Sequence, residues 1–417
     1  MNQRFPYRYR VLILLFFLLF ITYLDRICIG LVGKRIISEF HLSNSQFGWV
    51  LSAFSLAYAL FEIPSGIMGD KKGQKVVLIR IVIWWSVFTA LTGATTGLMS
   101  LIIVRFLFGM GEAGALPNTS GVISRWFPTN EISRGISASL VGQIAGAAIA
   151  PFIVIPLAMA FGWRTTFFVN GFIGMLWVIV CVLWFRNNPS EMKGVPEDEK
   201  KFIEKTRCVT SHSQTISFRK IIRNRSLIAL VLSFFCSQWG MYFFIAWMPV
   251  YLQEGKHFSE NGMKTVTSYF FIIGIVGVLS AGFLIDFLVK RKGLRFGRRF
   301  FGMIPLSLLA LSFLIIALTE NDVVVVVCLY LAQLFYSFNP LVSFSTCVDI
   351  GGDRVGTIAG IMNFCGQIGA FLLAIVFGKI ADLTHNFSAP IFIIAGVLFT
   401  GSLLWLFIDP AKPVVKA

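Results

Sequence analysis

The chain has 417 residues, 56% of them hydrophobic and 13% charged, where a soluble protein carries about 25% charge. Its longest polar stretch, 187–224, is too short to hold a sizeable core, so no soluble domain is evident. A formal net charge of +16 could signal a nucleic-acid partner, but its placement along the chain argues against one.

Apolar runs of about 20 residues recur from end to end, the pattern of a polytopic helical membrane protein. Spans are expected at 11–33, 46–69, 76–96, 98–122, 135–160, 165–186, 226–251, 265–289, 300–319, 323–346, 355–380 and 389–409. With the N-terminus inside, about 28 of the 36 Lys and Arg fall in cytoplasmic segments and about six at or near the outer ends. The last two, Arg26 and Arg105, lie within spans. This bias places both termini in the cytoplasm and makes the basic balance a topology signal. Arg4, Arg8 and Arg10 before an apolar run imitate a signal peptide, but no small-residue cleavage site follows, so the run is kept as the first span.

That span is apolar until Tyr23, Asp25 and Arg26, roughly 20 Å along the helix from its start. Adjacent helical residues point about 100° apart, so Asp25 and Arg26 pair poorly with each other and need partners elsewhere. The complementary charges at comparable depth are Arg105 and Glu112 in RFLFGMGEAGALPN (105–118), and Glu62 in the second span. Arg105 and Glu112 are seven residues apart, close to two turns, on one helix face that is rich in Gly and Ala. A mid-membrane charge costs about 2.5–3.5 kcal/mol even on the lenient insertion scale. Two readings follow: a charge network that only staples helices together, or a central proton and anion site. The second is adopted.

The second span ends in PSGIMGDKKGQK, where Gly66 and Gly69 permit close helix contact and Asp70 and Lys71 open a charged loop. AGFLIDFLVKRKG repeats the Gly66 and Asp70 pair as Gly282 and Asp286, at an offset of 216. RGISASLVGQIAG from Arg134 and RVGTIAGIMNFCG from Arg354 match at an offset of 220, aligning Gln143 with Asn363 and Gly146 with Gly366. Two matches near one offset divide the chain into halves: 1–186, a linker at 187–224 and 225–417. The linker's VPEDEKKFIEK is expected to be a solvated surface helix, followed by a basic patch at the membrane edge. The seventh span offers Gln238, Trp239, Tyr242 and Trp247, of which Tyr242 is placed at a cavity. In the tenth span Pro340 is expected to break the helical ladder. The seven cysteines form no CxxC and lie mostly in apolar spans, which suits packing, and the four scattered histidines suggest no metal site.

With these residues in view the chain resembles the major facilitator superfamily. GIMGDKKGQK looks like that superfamily's loop motif between spans two and three, Gly-x-x-x-Asp-(Arg/Lys)-x-Gly-x-(Arg/Lys). Within it the chain is most similar to the anion–cation symporter family of bacterial sugar-acid transporters and sialin-like proteins. YLDR (23–26), YALFEIPSG (58–66), RFLFGMGEAGALPN, RWFP (125–128), GWRTTF (162–167) and the Asn363 region carry that likeness. One departure is Glu62, where this family more often has Gln. The resemblance implies an all-α membrane protein of 12 transmembrane helices in two pseudo-symmetric six-helix bundles.

No nucleophile set, phosphate loop or metal site is visible, so the chain is read as no enzyme and as needing no cofactor. Arg26 and Arg105 remain charged and suit bidentate binding of a carboxylate, while Asp25 and Glu112 can each take up a proton. Gln143 and Asn363 suit a polar, hydroxyl-bearing substrate. The resemblance further implies that Asp25 and Glu112 couple protons and that Tyr23, Arg26, Tyr58, Gln143 and Asn363 contact substrate. Arg105 would then tune Glu112 or assist with the anion. The expected function is proton-coupled import of a small organic anion, such as a sugar acid, by alternating access. The partners are the anion, protons and the bilayer, and the chain is expected to act as a monomer. An exporter or exchanger of organic anions is the alternative, and a non-transporting membrane receptor is the reading from another class. A short first loop without a glycosylation sequon favours a bacterial inner membrane over an animal one.

Overall fold

The structure is a computed structural model that describes residues 6–128, 131–192, 194–206, 224–351 and 355–411. Arg4, Cys208, His212, most of the basic linker segment and Arg354 lie outside the described residues. Among the described residues there is no strand, and 12 helical stretches are long and apolar enough to cross a membrane. Each overlaps one expected span. In lipid, backbone N–H and C=O groups find no water, so apolar runs of this length form helices that satisfy those groups internally.

The chain packs as two compact units, Met1–Ile29 with Ala57–His212 and Gly30–Leu56 with Ser213–Ala417. This division departs from the halves expected at 1–186 and 225–417, because residues 30–56 pack with the later part of the chain.

The first unit contains most of α1 (Tyr7–Leu31), the second part of α3 (Asn44–Lys72), α4 (Gln74–Gly93), α5 (Leu98–Glu112), α6 (Ala115–Trp126), α7 (Ile132–Phe161), α8 (Trp163–Trp184) and α9 (Glu197–Thr206). Its helices approach closely through small residues, as packing in lipid requires. A Cβ at Gly142 or Gly146 of α7 would lie 2.3 or 2.2 Å from the carbonyl oxygens of Phe16 and Phe20 in α1. The linker helix α9 is not merely solvated. Glu199 accepts hydrogen bonds from the Tyr7 and Arg8 backbone N–H groups at 3.0 and 3.1 Å, capping α1, and Ile203 is buried. Arg8 bridges Glu199 to Glu131 at the start of α7.

The second unit contains α2 (Gly33–Phe40), the start of α3, α10 (Arg225–Tyr242), α11 (Glu260–Lys292), α12 (Leu294–Leu318), α13 (Asp322–Tyr336), α14 (Phe338–Gly351), α15 (Val355–Thr384) and α16 (Ser388–Leu403). Beyond Tyr242 the α10 rod continues through two wide π turns, Phe243–Trp247 and Tyr251–Gly255. In α15, Gly366 sits against Phe234 and Gln238, and a Cβ at Gly369 would lie 2.5 Å from the Phe235 carbonyl oxygen. The expected alignment of Gly146 with Gly366 therefore corresponds to equivalent packing: α7 on α1 in one unit, α15 on α10 in the other.

Single left-handed glycines join consecutive spans: Gly73, at φ 86°, connects α3 to α4, and Gly293, at φ 87°, connects α11 to α12. Their offset is 220, so the junctions align KKGQK (71–75) with RKGLR (291–295). The expected pairing of Gly66 and Asp70 with Gly282 and Asp286 is thus displaced from the junctions by one helical turn.

Candidate functional site

One interruption positions the charged residues of the first unit. The fourth span breaks after Glu112, at Ala113-Gly114, where Gly114 takes φ 93° against Ser65. Pro117 is the third residue of α6, one of the helix positions whose N–H has no intrahelical acceptor, so its missing donor costs little. Arg105 and Glu112 consequently share α5, as their spacing required, while the small residues after Glu112 belong to a turn and a new helix.

Glu112 is fully buried, and it pairs with Arg26 rather than with Arg105. The Arg26 Nη2 group donates to Glu112 Oε1, which ties α1 to the end of α5. The Arg26 guanidinium is also 5.0 Å from the ring centroids of both Tyr23 and Tyr58, within cation–π range. Asp25, 1% exposed, takes a different partner: Thr89 of α4 donates to its Oδ2 at 3.4 Å. Its Oδ1 and the Oε2 of Glu112 have no hydrogen-bond partner among the described residues. Arg105, also buried, lies 4.6 Å from the Phe108 ring, and its field reaches both Asp25 and Glu112. Five of the expected residues, Tyr23, Asp25, Arg26, Tyr58 and Glu112, therefore form one cluster, buried except for the half-buried Tyr23, with Arg105 as its second cation. Gln143 is half-buried on α7, flanked by the two glycines that meet α1. Glu62 is half-buried on α3, one turn beyond Tyr58.

In the second unit Tyr242 is buried immediately before the first π turn, and Asn363 is half-buried on α15. Gln238, one turn before Tyr242, accepts a hydrogen bond from the Tyr336 hydroxyl at 3.2 Å. The tenth span breaks at Ser337, three residues before Pro340, and the proline then occupies the third position of α14. It thus repeats the role of Pro117.

Gly66, Asp70, Lys71, Gly282 and Asp286, which the sequence suggests as gating positions, lie in the last third of α3 and of α11. Asp70 and Lys71 are exposed at the end of α3, and Asp286 is exposed near the end of α11. A Cβ at Gly66 would make only ordinary contact with Pro117, and one at Gly282 would meet nothing within 4 Å. The close approach is at Gly69, where a Cβ would lie 1.8 Å from Asn118 Oδ1.

Sequence reasoning passed over three polar groups: Thr89 beside Asp25, Tyr336 on Gln238, and Asn170 of α8. Asn170 is fully buried with neither amide atom hydrogen-bonded among the described residues. Asn170 carried a usable signal as a lone carboxamide inside an apolar span, whereas Thr89 and Tyr336 are residue types that spans commonly tolerate. No group of three or more potential metal-ligating side chains occurs among the described residues.

Residues 15–374 match the sequence profile of the Major Facilitator Superfamily. The chain is 32% identical over 99% of its length to the "Probable sulfoacetate transporter SauU" of Cupriavidus necator, covering 96% of that protein. It is 28% identical to the hexuronate transporter of Bacillus subtilis, covering 94% of this chain and 92% of that one. With the D-galactonate transporter of Escherichia coli it shares 29% identity, over 96% and 95% of the two chains. A solved structure of a bacterial homolog of the human lysosomal transporter Spinster superimposes with a TM-score of 0.77 at 17% identity, over 97% of each chain.

Proposed function

Since the chain belongs to the major facilitator superfamily, we propose that it is a proton-coupled symporter importing a small organic anion by alternating access. The relatives named above carry a hexuronate, D-galactonate and, by its printed name, sulfoacetate, all small organic anions. A guanidinium can bind a carboxylate or a sulfonate through two parallel N–H···O bonds, so one arginine suits the whole set.

The observation that carries the proposal is the buried Arg26–Glu112 pair beside Asp25. Breaking a buried ion pair by removing one charge costs about 3–5 kcal/mol, because the other is left uncompensated. Protonation of Glu112 leaves Arg26 in that position. An incoming anion then supplies the missing counter-charge, and a proton on Glu112 favours substrate binding. When the substrate leaves, Arg26 recaptures Glu112 as the proton departs. Asp25, held by a single long hydrogen bond from Thr89, is a second carboxylate able to carry a proton through the cycle. Arg105 tunes both carboxylates through its field, while Tyr23, Tyr58, Gln143, Tyr242 and Asn363 serve the substrate.

In this reading both termini and the Asp70–Lys71 and Asp286 loops face the cytoplasm, and the membrane is a bacterial inner one. The test is uptake of labelled organic acids into proteoliposomes under an imposed pH gradient. Asp25→Asn and Glu112→Gln should each lose accumulation against a gradient, and Glu112→Gln should keep substrate binding. Undiminished uphill uptake in both variants overturns the assignment.

A further inference from the structure

The basic–basic–Gly–x–basic junction occurs once in each unit, yet its surroundings differ. In the first unit the junction is closed by the chain itself. A Cβ at Gly73 would lie 2.7 Å from the Asn187 side chain, whose Oδ1 accepts from the Lys75 N–H at 2.8 Å. In the second unit a Cβ at Gly293 would meet nothing within 4 Å. A cavity of about 600 Å³ opens there between the start of α12 and the segment after α16. Lys292, Arg295 and Arg299 line it together with Phe296, Phe300 and Trp405.

We propose that this cavity binds the phosphate headgroup of an anionic phospholipid, with the acyl chains laid against the exposed Phe296 and Phe300. In the orientation proposed above the lipid comes from the cytoplasmic leaflet. Three cations from one helix junction produce a strong positive field at the height of the lipid phosphates, and basic pockets between membrane helices suit such headgroups. Arg299 is fixed at the cavity wall because its Nε donates to the Ile408 carbonyl at 2.7 Å. The acid facing these cations is Asp409, 3.8 Å from an Arg295 side chain that is 59% exposed, and a contact of that kind is readily exchanged for a phosphate. The aromatic side chains at the cavity mouth, 47% exposed at Phe296 and 38% at Phe300, offer the apolar surface that a lipid has and a free phosphate lacks.

The test uses the full-length purified protein and reads lipid binding, independent of transport. Native mass spectrometry measures retention of phosphatidylglycerol against phosphatidylcholine in the wild type, in Lys292→Gln/Arg295→Gln and in a control with equal charge loss, Lys200→Gln/Lys201→Gln. At about five-fold per basic residue near the surface, the cavity variant should bind phosphatidylglycerol about 25-fold more weakly, and the control should stay close to wild type. Wild-type affinity in the cavity variant overturns the proposal, as does an equal loss in the control, which would reveal a diffuse charge effect. In a parallel thermal-unfolding series, stabilisation by glycerol phosphate as strong as that by phosphatidylglycerol would assign the cavity to a free anion and overturn the lipid reading.

Discussion

A guanidinium with as little exposure as that of Arg26, 8%, stays charged inside a membrane protein only if its surroundings compensate it. Glu112 supplies the counter-charge, and the faces of Tyr23 and Tyr58 supply two weaker interactions of a kind that favours Arg over Lys. Arg26→Lys would keep the charge but lose the planar fork and the ring contacts. Charge-assisted hydrogen bonds contribute about 1.5–3 kcal/mol each, so the expected outcome is a fall in substrate affinity of about 10- to 100-fold. Titration calorimetry in detergent measures it, and an affinity within two-fold of wild type would show that Arg26 is not the anion ligand. Tyr58 entered only through the family resemblance, whereas the charged members of this cluster were legible in the sequence because charges in apolar runs stand out. Their pairing was not, since Arg105 and Glu112 share a helix face and only tertiary packing decides that Glu112 meets α1. The histidines teach a related lesson: His41, His257 and His385 all take left-handed backbone conformations, so their common property is conformational and invisible to a search for ligand clusters.

At the level of helices, small residues decide where two rods can touch, and the two units use them alike. A Cβ at Gly146 would approach a backbone carbonyl oxygen, which has less room to yield than a side chain. Gly146→Ala should therefore push α7 from α1 and destabilise the protein by about 1–3 kcal/mol, despite alanine's better helix propensity. A thermal melt of the purified variant checks this, and an unchanged or higher melting temperature would mean that the α1–α7 seam is softer than its geometry indicates. The twelve spans and the glycine match at offset 220 were readable because hydropathy and spacing are carried by the chain itself. The junction match of KKGQK with RKGLR was equally readable, but the Gly and Asp pair at offset 216 drew attention one turn away. The break positions were harder to locate. Pro117 and Pro340 each disrupt the helix three residues or so upstream, because proline is tolerated in the first turn of the helix that follows. The π turns after Tyr242 left no equally local signal.

Across the whole molecule, one stretch belongs by sequence to the early spans and by packing to the later ones. Residues 30–56 are joined to the rest of the second unit by contacts spread over their length. Arg35 makes a two-pronged pair with Glu260, both bonds at 2.8 Å, and Lys34 meets Glu254 at 2.9 Å. Asp382 accepts from the Asn44 and Ser45 N–H groups at 3.0 and 2.7 Å, capping α3 from another helix, and Gly48 rests on the Ala374 carbonyl. The ion pairs are partly exposed and each is worth roughly 1 kcal/mol or less, so together with one cap they form a closure that can open and re-form. If the two sequence halves alternate as proposed, this stretch parts from Glu254, Glu260 and α15 once per cycle. Arg35→Cys/Glu260→Cys, joined by a bis-thiosulfonate reagent that reduction can cleave, should then lose more than about nine-tenths of its uptake and regain it on reduction, because conformational gating commits every turnover to the same motion. The described native cysteines other than the half-buried Cys365 are buried, and a Cys208→Ser/Cys365→Ser background reserves the reagent for the introduced pair. Substrate binding measured on the cross-linked protein separates a blocked cycle from a damaged site: binding retained with uptake lost is the expected pattern, and uptake sustained at full cross-linking would show that residues 30–56 remain seated throughout transport.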